Sequence, residues 1–172
     1  TVAVVGLTMT TLYQTSFDEE RTRLSETAKS QARFIEAVAR FDKKYSANDM
    51  AGGSTESTMS QLREAHKNFE GIGKTGEFTL AKQDGDQIVF LLNHRHHDLT
   101  ELHPVSIHDD EAEPMRLALQ GNSGSLVGLD YRGELVLAAY EPVAELNLGI
   151  VAKIDISEIR QPFIRAGLLA LV

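Results

Sequence analysis

The sequence predicts an α+β domain in which one long N-terminal helix, helped by shorter ones, covers a five-stranded antiparallel sheet. Residues 13–46 contain no Gly or Pro and are rich in Glu, Arg, Ala, Gln and Lys, the composition of a continuous helix. From Gly71 onward the hydrophobic period falls to two, and Gly-bearing turns separate five apolar runs. The 172 residues are enough for one domain with its own core.

The long helix is expected from about Tyr13 to Tyr45. Phe34, Val38, Phe41 and Tyr45 fall at i, i+4, i+7 and i+11 and are expected to form its apolar face, with Leu24, Ala28 and Ile35 as an adjoining stripe. Its N-terminal half is polar, which suits a helix that juts into solvent or pairs with another. "SANDMAGGST" interrupts the pattern, and Ser54 or Thr55 is expected to cap a second helix with Met59, Leu62, His66 and Phe69 at helical spacing. His66 then lies on an apolar face as a partly buried core histidine.

"GEFTLAKQDGDQIVFLLNHR" reads as two strands around an Asp-Gly turn. "LTELHPVSIHDD" is an irregular connection. "EAEPMRLALQG" is a short helix with Pro114 in its first turn and Gly121 past its end. "SGSLVGLDYRGELVLAAYEPV" is a second hairpin turning at Arg132-Gly133, and "LNLGIVAKIDI" is a fifth strand. Ser157 is expected to cap a terminal helix running into "PFIRAGLLALV".

Charge and motifs narrow the chemistry. A net charge of −8 argues against a protein that tracks phosphates, and the absence of Cys excludes disulfides and thiolate metal sites. "GIGKTGEF" contains Gly-Lys-Thr, but Asn68 stands where a phosphate loop needs Gly, a helix precedes it and a strand follows. It reads as a helix-to-strand turn. No Ser sits in a Gly-x-Ser-x-Gly elbow.

"HRHHDL" offers His94, His96 and Asp98 at the spacing of a zinc-hydrolase motif, yet Leu99 stands where the next His belongs and no His follows His108. Five of the six His, at 94, 96, 97, 103 and 108, lie in this stretch beside Asp98, Asp109, Asp110 and Glu111. A solvated loop, the lining of a ligand pocket, and a metal or proton sensor all fit it. In "DYRGELVLAAY", period-2 alternation sends Tyr131 to the face opposite Asp130, and Tyr140 to the face of Ala138 and Val136. Arg132 is expected in a solvated turn.

Both ends are apolar. "TVAVVGLTMTTL" stops before a polar helix, and "AGLLALV" follows Arg160 and Arg165. Each is shorter than the roughly 20 residues that cross a bilayer. They fit the inner ends of two membrane helices flanking one polar domain, or a pair of buried terminal elements. A dinucleotide-binding start is disfavoured, because "VVGLTMTTL" has a single Gly and no strand–helix–strand unit follows.

From about Tyr13 to Arg165 the chain resembles the extracytoplasmic Cache domains, PAS-like sensor modules of bacterial transmembrane receptors. The resemblance lies in the long helix, "GKTGEFTLAKQDGDQIVF", "EPMRLALQGNSGS", "LDYRGELVLAAYEPV" and "LNLGIVAKIDISEI", in that order. It implies a single Cache domain, a five-stranded PAS-like sheet with the long helix on one face, and a ligand pocket between the other face and "NHRHHDLTELHPVSIHDD". It also implies a small organic acid, amino acid or related metabolite as ligand, and no catalysis or cofactor. The chain has no Trp, so it departs from the Arg and Trp-Tyr motif of amino-acid-binding members.

On this reading Arg95 clamps a carboxylate through its bidentate fork, His94 or His97 supports it, and Tyr131 and Tyr140 line the pocket. The alternative is a metal- or pH-sensing domain using the His-rich loop 94–108, with His94, His96 and Asp98 as ligands. Residues 1–12 would end a first transmembrane helix, 13–162 would form the sensor with 13–46 as its long helix, and 163–172 would begin a second transmembrane helix. The domain would face the periplasm or the extracellular side of a bacterial inner membrane and bind no nucleic acid. It would form a homodimer through the long helix and signal to a cytoplasmic histidine kinase or cyclase.

Overall fold

The computed structural model describes residues 2–46, 52–67, 71–92, 95 and 103–169. Its order is α1 (Val2–Tyr45), α2 (Gly53–His66), β1 (Glu77–Asp84), β2 (Gln87–Phe90), β3 (Val105–Ser106), α3 (Glu113–Leu119), β4 (Gly124–Leu129), β5 (Leu135–Val143), β6 (Leu148–Asp155) and α4 (Ile156–Leu169). The sheet is antiparallel with strand order β3-β2-β1-β6-β5-β4. It has six strands where five were expected. The extra one, β3, is only two residues long and holds two residues of β2, too short to leave a periodic signature.

One face of the sheet carries Phe78, Leu80, Leu137, Ala139, Ile150, Ala152 and Ile154, which pack with Leu24, Ala28, Ala32 and Ile35 of α1 and Met59 and Leu62 of α2. Each fully buried Leu or Ile here contributes about 1.5–3 kcal/mol. The other face carries Ala81, Ile88, Phe90, Val136, Ala138 and Val151 beneath Ala112 and Met115 of the α3 region. A Cβ at Gly149 would come within 2.9 Å of both Ala118 Cβ and Met115 Sδ, so that glycine lets α3 lie directly on β6.

The apolar face of α1 is not the expected one. Phe34, Phe41 and Tyr45 are exposed, while Leu24, Ala28, Ala32, Ile35 and Ala39 face the sheet. The alanines explain the choice, because only a row of small side chains lets this helix approach a sheet closely while Leu24 and Ile35 interdigitate. Among the described residues no helix is long and apolar enough to cross a membrane. Thr8, Thr10, Thr11 and Thr15 each return a hydroxyl hydrogen bond to the carbonyl four residues back, so they add little exposed polarity to the first turns of α1.

Both expected caps move. α2 starts at Gly53, so Ser54 and Thr55 lie within it, and α4 starts at Ile156, so Ser157 lies within it. Pro114 and Gly121 bracket α3 as expected, with Gly121 at φ +84°. His66 is half-buried, its ring edge-on to Phe78 at 4.7 Å. Phe69 lies outside the described residues.

The packing of α2 on α1 includes one polar clasp. Asp42 is fully buried and accepts hydrogen bonds from Thr58 Oγ1 at 2.7 Å and Gln61 Nε2 at 3.1 Å. Asp42→Ala strands both donors and is expected to cost about 2 kcal/mol. Urea unfolding measures this, and Asp42→Asn is expected to lose less, because its amide oxygen still accepts one of the two bonds.

Candidate functional site

Period-2 alternation puts Glu77 and Thr79 of β1, and Val151 and Lys153 of β6, on the α3 side of the sheet. Glu77 and Lys153 are direct cross-strand partners. Lys153 is 2% exposed and contacts Glu77 Oε1 at 2.8 Å and the Asp130 carboxylate, both equally buried. A buried ammonium is tolerated only when so paired.

The β4–β5 turn supplies the rest. Asp130 Oδ1 accepts the backbone N–H of Arg132 at 2.7 Å and of Glu134 at 3.1 Å, which fixes the turn on its own carboxylate. Arg132 bridges Asp130 at 2.8 Å and Asp155 at 2.6 Å, with its side chain only 14% exposed. Tyr131 donates its phenol to Glu77 Oε1 at 2.9 Å, and its ring lies 4.6 Å from Lys153 Nζ. The cluster therefore brings two cations, Lys153 and Arg132, against three carboxylates, Glu77, Asp130 and Asp155.

Burial by itself pushes the Asp130 carboxyl up, but Lys153 and Arg132 outweigh it and hold the group below its ordinary value. Burial and the neighbouring Glu77 both push the Tyr131 phenol up, so it stays protonated and donates a hydrogen bond at neutral pH. Arg132 is held charged by Asp130 and Asp155 despite its burial.

Above the cluster is a cavity lined by Thr79, Phe90, Met115, Asp130, Tyr131 and Lys153, with Ala112, Pro114 and Val151 completing its wall. The centre of a water molecule has about 10 Å³ to move in there, room for about one water. A wider groove between Leu135 and Ile164 is open, and its Glu134, Arg160, Gln161 and Arg165 are exposed. That groove offers no buried polar group to a ligand. The cavity over Lys153 does.

Of the residues singled out from sequence, Tyr131 lines this cavity. Tyr140 is half-buried on the same face beside Val136 and Ala138, as its register predicts. Asp130 and Tyr131 do not lie on opposite faces, because they belong to a turn and not to a strand, and both reach Lys153. Arg132 is drawn into the cluster and is not a solvated turn residue. Arg95 meets the cluster through its backbone N–H, 2.7 Å from Glu77 Oε2, while its guanidinium donates to Gly73 O at 2.9 Å.

His94, His96, His97 and Asp98 lie outside the described residues. Among the described residues no three His, Asp or Glu are grouped to hold a metal ion. His103 and His108 are exposed, the latter 3.8 Å from Asp86. Lys153 is the residue that sequence reasoning missed. Its one signal is a lone charge at a position that strand alternation directs toward the covered face in "GIVAKIDI".

Lys153→Met leaves Glu77 buried without its cation and Asp130 with Arg132 alone, and is expected to cost about 3–5 kcal/mol, with part recovered by adding Glu77→Gln. Because the folded Asp130 pKa is depressed, its stabilisation is complete above its unfolded value of 3.8 and is lost as pH falls through the lower folded value. Acid unfolding curves are expected to flatten in Asp130→Asn over that window.

The chain is similar to a solved structure described as "the extracellular domain of the putative histidine kinase mmHK1S-Z3", at 21% identity and a TM-score of 0.40. The match covers 66% of this chain, which spans 40% of that one. No family model and no curated protein matches the chain.

Proposed function

We propose that the chain is a Cache-type, extracytoplasmic sensor domain that binds a small carboxylate-bearing metabolite and is not itself an enzyme. One observation carries the reading: Lys153, a buried cation facing a small cavity, stands on the strand that continues directly into α4. A carboxylate entering the cavity competes with Glu77 and Asp130 for the same ammonium, and Tyr131 supplies a phenol donor beside it. The carboxylate clamp expected of Arg95 passes to Lys153, since the Arg95 guanidinium is engaged with Gly73.

The terminal helices make this a receptor module in the same proposal. Tyr13 of α1 stacks edge-on against Phe163 of α4 at 5.4 Å, so the two helices leave the domain side by side. Val4, Val5, Leu7 and Leu12 on α1 and Ile164 and Leu168 on α4 are exposed there, as the inner ends of two membrane-bound helices would be. Signals would pass through them to a cytoplasmic histidine kinase or cyclase.

A thermal-shift screen with mono-, di- and tricarboxylates tests the ligand class. One of them is expected to raise Tm by several degrees, and Met115→Trp, which fills the cavity without replacing a charged residue, is expected to abolish the response. No shift from any carboxylate, or a shift that survives Met115→Trp, refutes this site.

A parallel homodimer through α1 belongs to the same proposal. Phe34, Phe41 and Tyr45 are all more than half exposed and, with Val38 between them, repeat at the spacing of a helix–helix seam. Arg33 and Arg40 beside them lie 3.0 and 4.0 Å from the Glu36 carboxylate, which lowers the repulsion that two identical faces would otherwise meet. Ala37, exposed on the same flank, is small enough to let a second helix approach. Phe41→Glu is expected to turn a dimer into a monomer in sedimentation velocity with the fold intact by circular dichroism.

A further inference from the structure

Glu158, in the first turn of α4, is gripped by a turn more than eighty residues earlier. Its carboxylate accepts the backbone N–H of Lys74 at 2.8 Å, the backbone N–H of Thr75 at 2.7 Å and the Thr75 hydroxyl at 2.6 Å. That hydroxyl accepts in turn from the backbone N–H of Asp155 at 3.1 Å. Burial raises the Glu158 carboxyl, but these bonds outweigh it and hold it below the ordinary carboxylate value. The amides that a phosphate-loop reading of "GKT" would aim at a nucleotide therefore hold an anion belonging to the chain itself.

The other side of this turn is held by Arg95. Its guanidinium donates to Gly73 O and its backbone N–H donates to Glu77, whose other oxygen is on Lys153 and Tyr131. The turn is closed by the Ile72 N–H to Gly76 O bond at 2.8 Å, which ties its two ends together. Two glycines allow both grips. A Cβ at Gly71, where φ is +87°, would lie 2.8 Å from Arg95 Cζ, and one at Gly73, where φ is +62°, would lie 2.6 Å from Glu158 Oε1.

We infer that the turn from Gly71 to Thr75 is a transmission joint, through which Arg95 couples the position of Glu77 in the buried cluster to the first turn of α4. Its purpose rests on the sensor reading above, while its existence does not. When Glu77 is on Lys153, Arg95 and the turn hold Glu158 as described. When a ligand carboxylate takes Lys153 and Glu77 shifts, Arg95 carries the displacement to Gly73, and the amides of Lys74 and Thr75 move relative to α4. Two arrangements of one element, biased from either end, are what coupling between sites requires.

The joint can be tested without ligand by hydrogen exchange on the whole chain, following the amides of Arg160, Gln161 and Phe163. Thr75→Val is expected to speed their exchange by roughly ten- to a hundredfold, about the loss of one hydrogen bond to a charged group, and Thr75→Ser to restore it. Glu77→Gln is expected to speed it by about fivefold in the natural chain and by no further factor in an Arg95→Ala background, where the link to Gly73 is already cut. Tyr131→Phe, which removes only one donor from Glu77, serves the same comparison if Glu77→Gln does not fold. If the effects of the two sites multiply, or if α4 does not respond to the cluster, the joint is refuted. A failed carboxylate screen leaves this result untouched, and multiplying effects leave the cavity free to bind.

Discussion

The ammonium of Lys153, held between Glu77 and Asp130, is the contact on which the arrangement of this domain turns. Taking a lysine out of water costs several kcal/mol unless a carboxylate meets it, and here two do, from opposite sides in the chain. That requirement fixes register. Sliding β6 by one residue against β1 would drive Lys153 into the apolar face occupied by Leu80, Ile150 and Ala152, with no partner there. The same ammonium draws in the β4–β5 turn through Asp130, and Asp130 then organises Arg132 and, through it, Asp155. Two strands and a turn are thus pinned at one end of the sheet by charge, while the other end of the same face is pinned by Met115, Ala118 and Gly149 in close packing.

Local signals are legible where one residue type decides a conformation. The Gly133 turn, and Pro114 and Gly121 around α3, stand where the sequence puts them, and the first hairpin turns at Gly85-Asp86, one residue past the expected Asp-Gly pair, since φ preference acts within a few residues. Leu24, Ala28 and Ile35 are core, as their spacing implies. Phe34, Phe41 and Tyr45 share that spacing and are not, because periodicity reveals that stripes exist and not which one meets the sheet. Side-chain volume argues for the aromatics, and the distance between helix and sheet decides for the alanines.

The site is less legible than the fold for a different reason. Glu77, Asp130 and Lys153 come from separate elements, and each alone reads as an ordinary charge on a strand or turn. Only the cross-strand register brings them together. Composition instead points to the histidines at 94, 96 and 97, which lie outside the described residues, and to Arg95, whose backbone matters to the cluster as much as its side chain. Polarity in sequence marks candidates, but pairing across a sheet selects among them.

In the proposed sensor the internal carboxylates are competitors as well as supports. A ligand carboxylate gains Lys153 only by displacing Glu77 or Asp130, so its apparent affinity is lowered by the fraction of molecules in which the internal pair is closed. The one-water cavity means that binding and rearrangement cannot be separated, because a metabolite fits only once the walls have moved. That ties occupancy to displacement of Glu77, and hence to whatever Glu77 holds. A rigid, open pocket would bind more tightly and report less, since a ligand with equal affinity for two states shifts neither. In the proposed receptor, closing the site with its own carboxylates would supply the differential affinity that signalling needs.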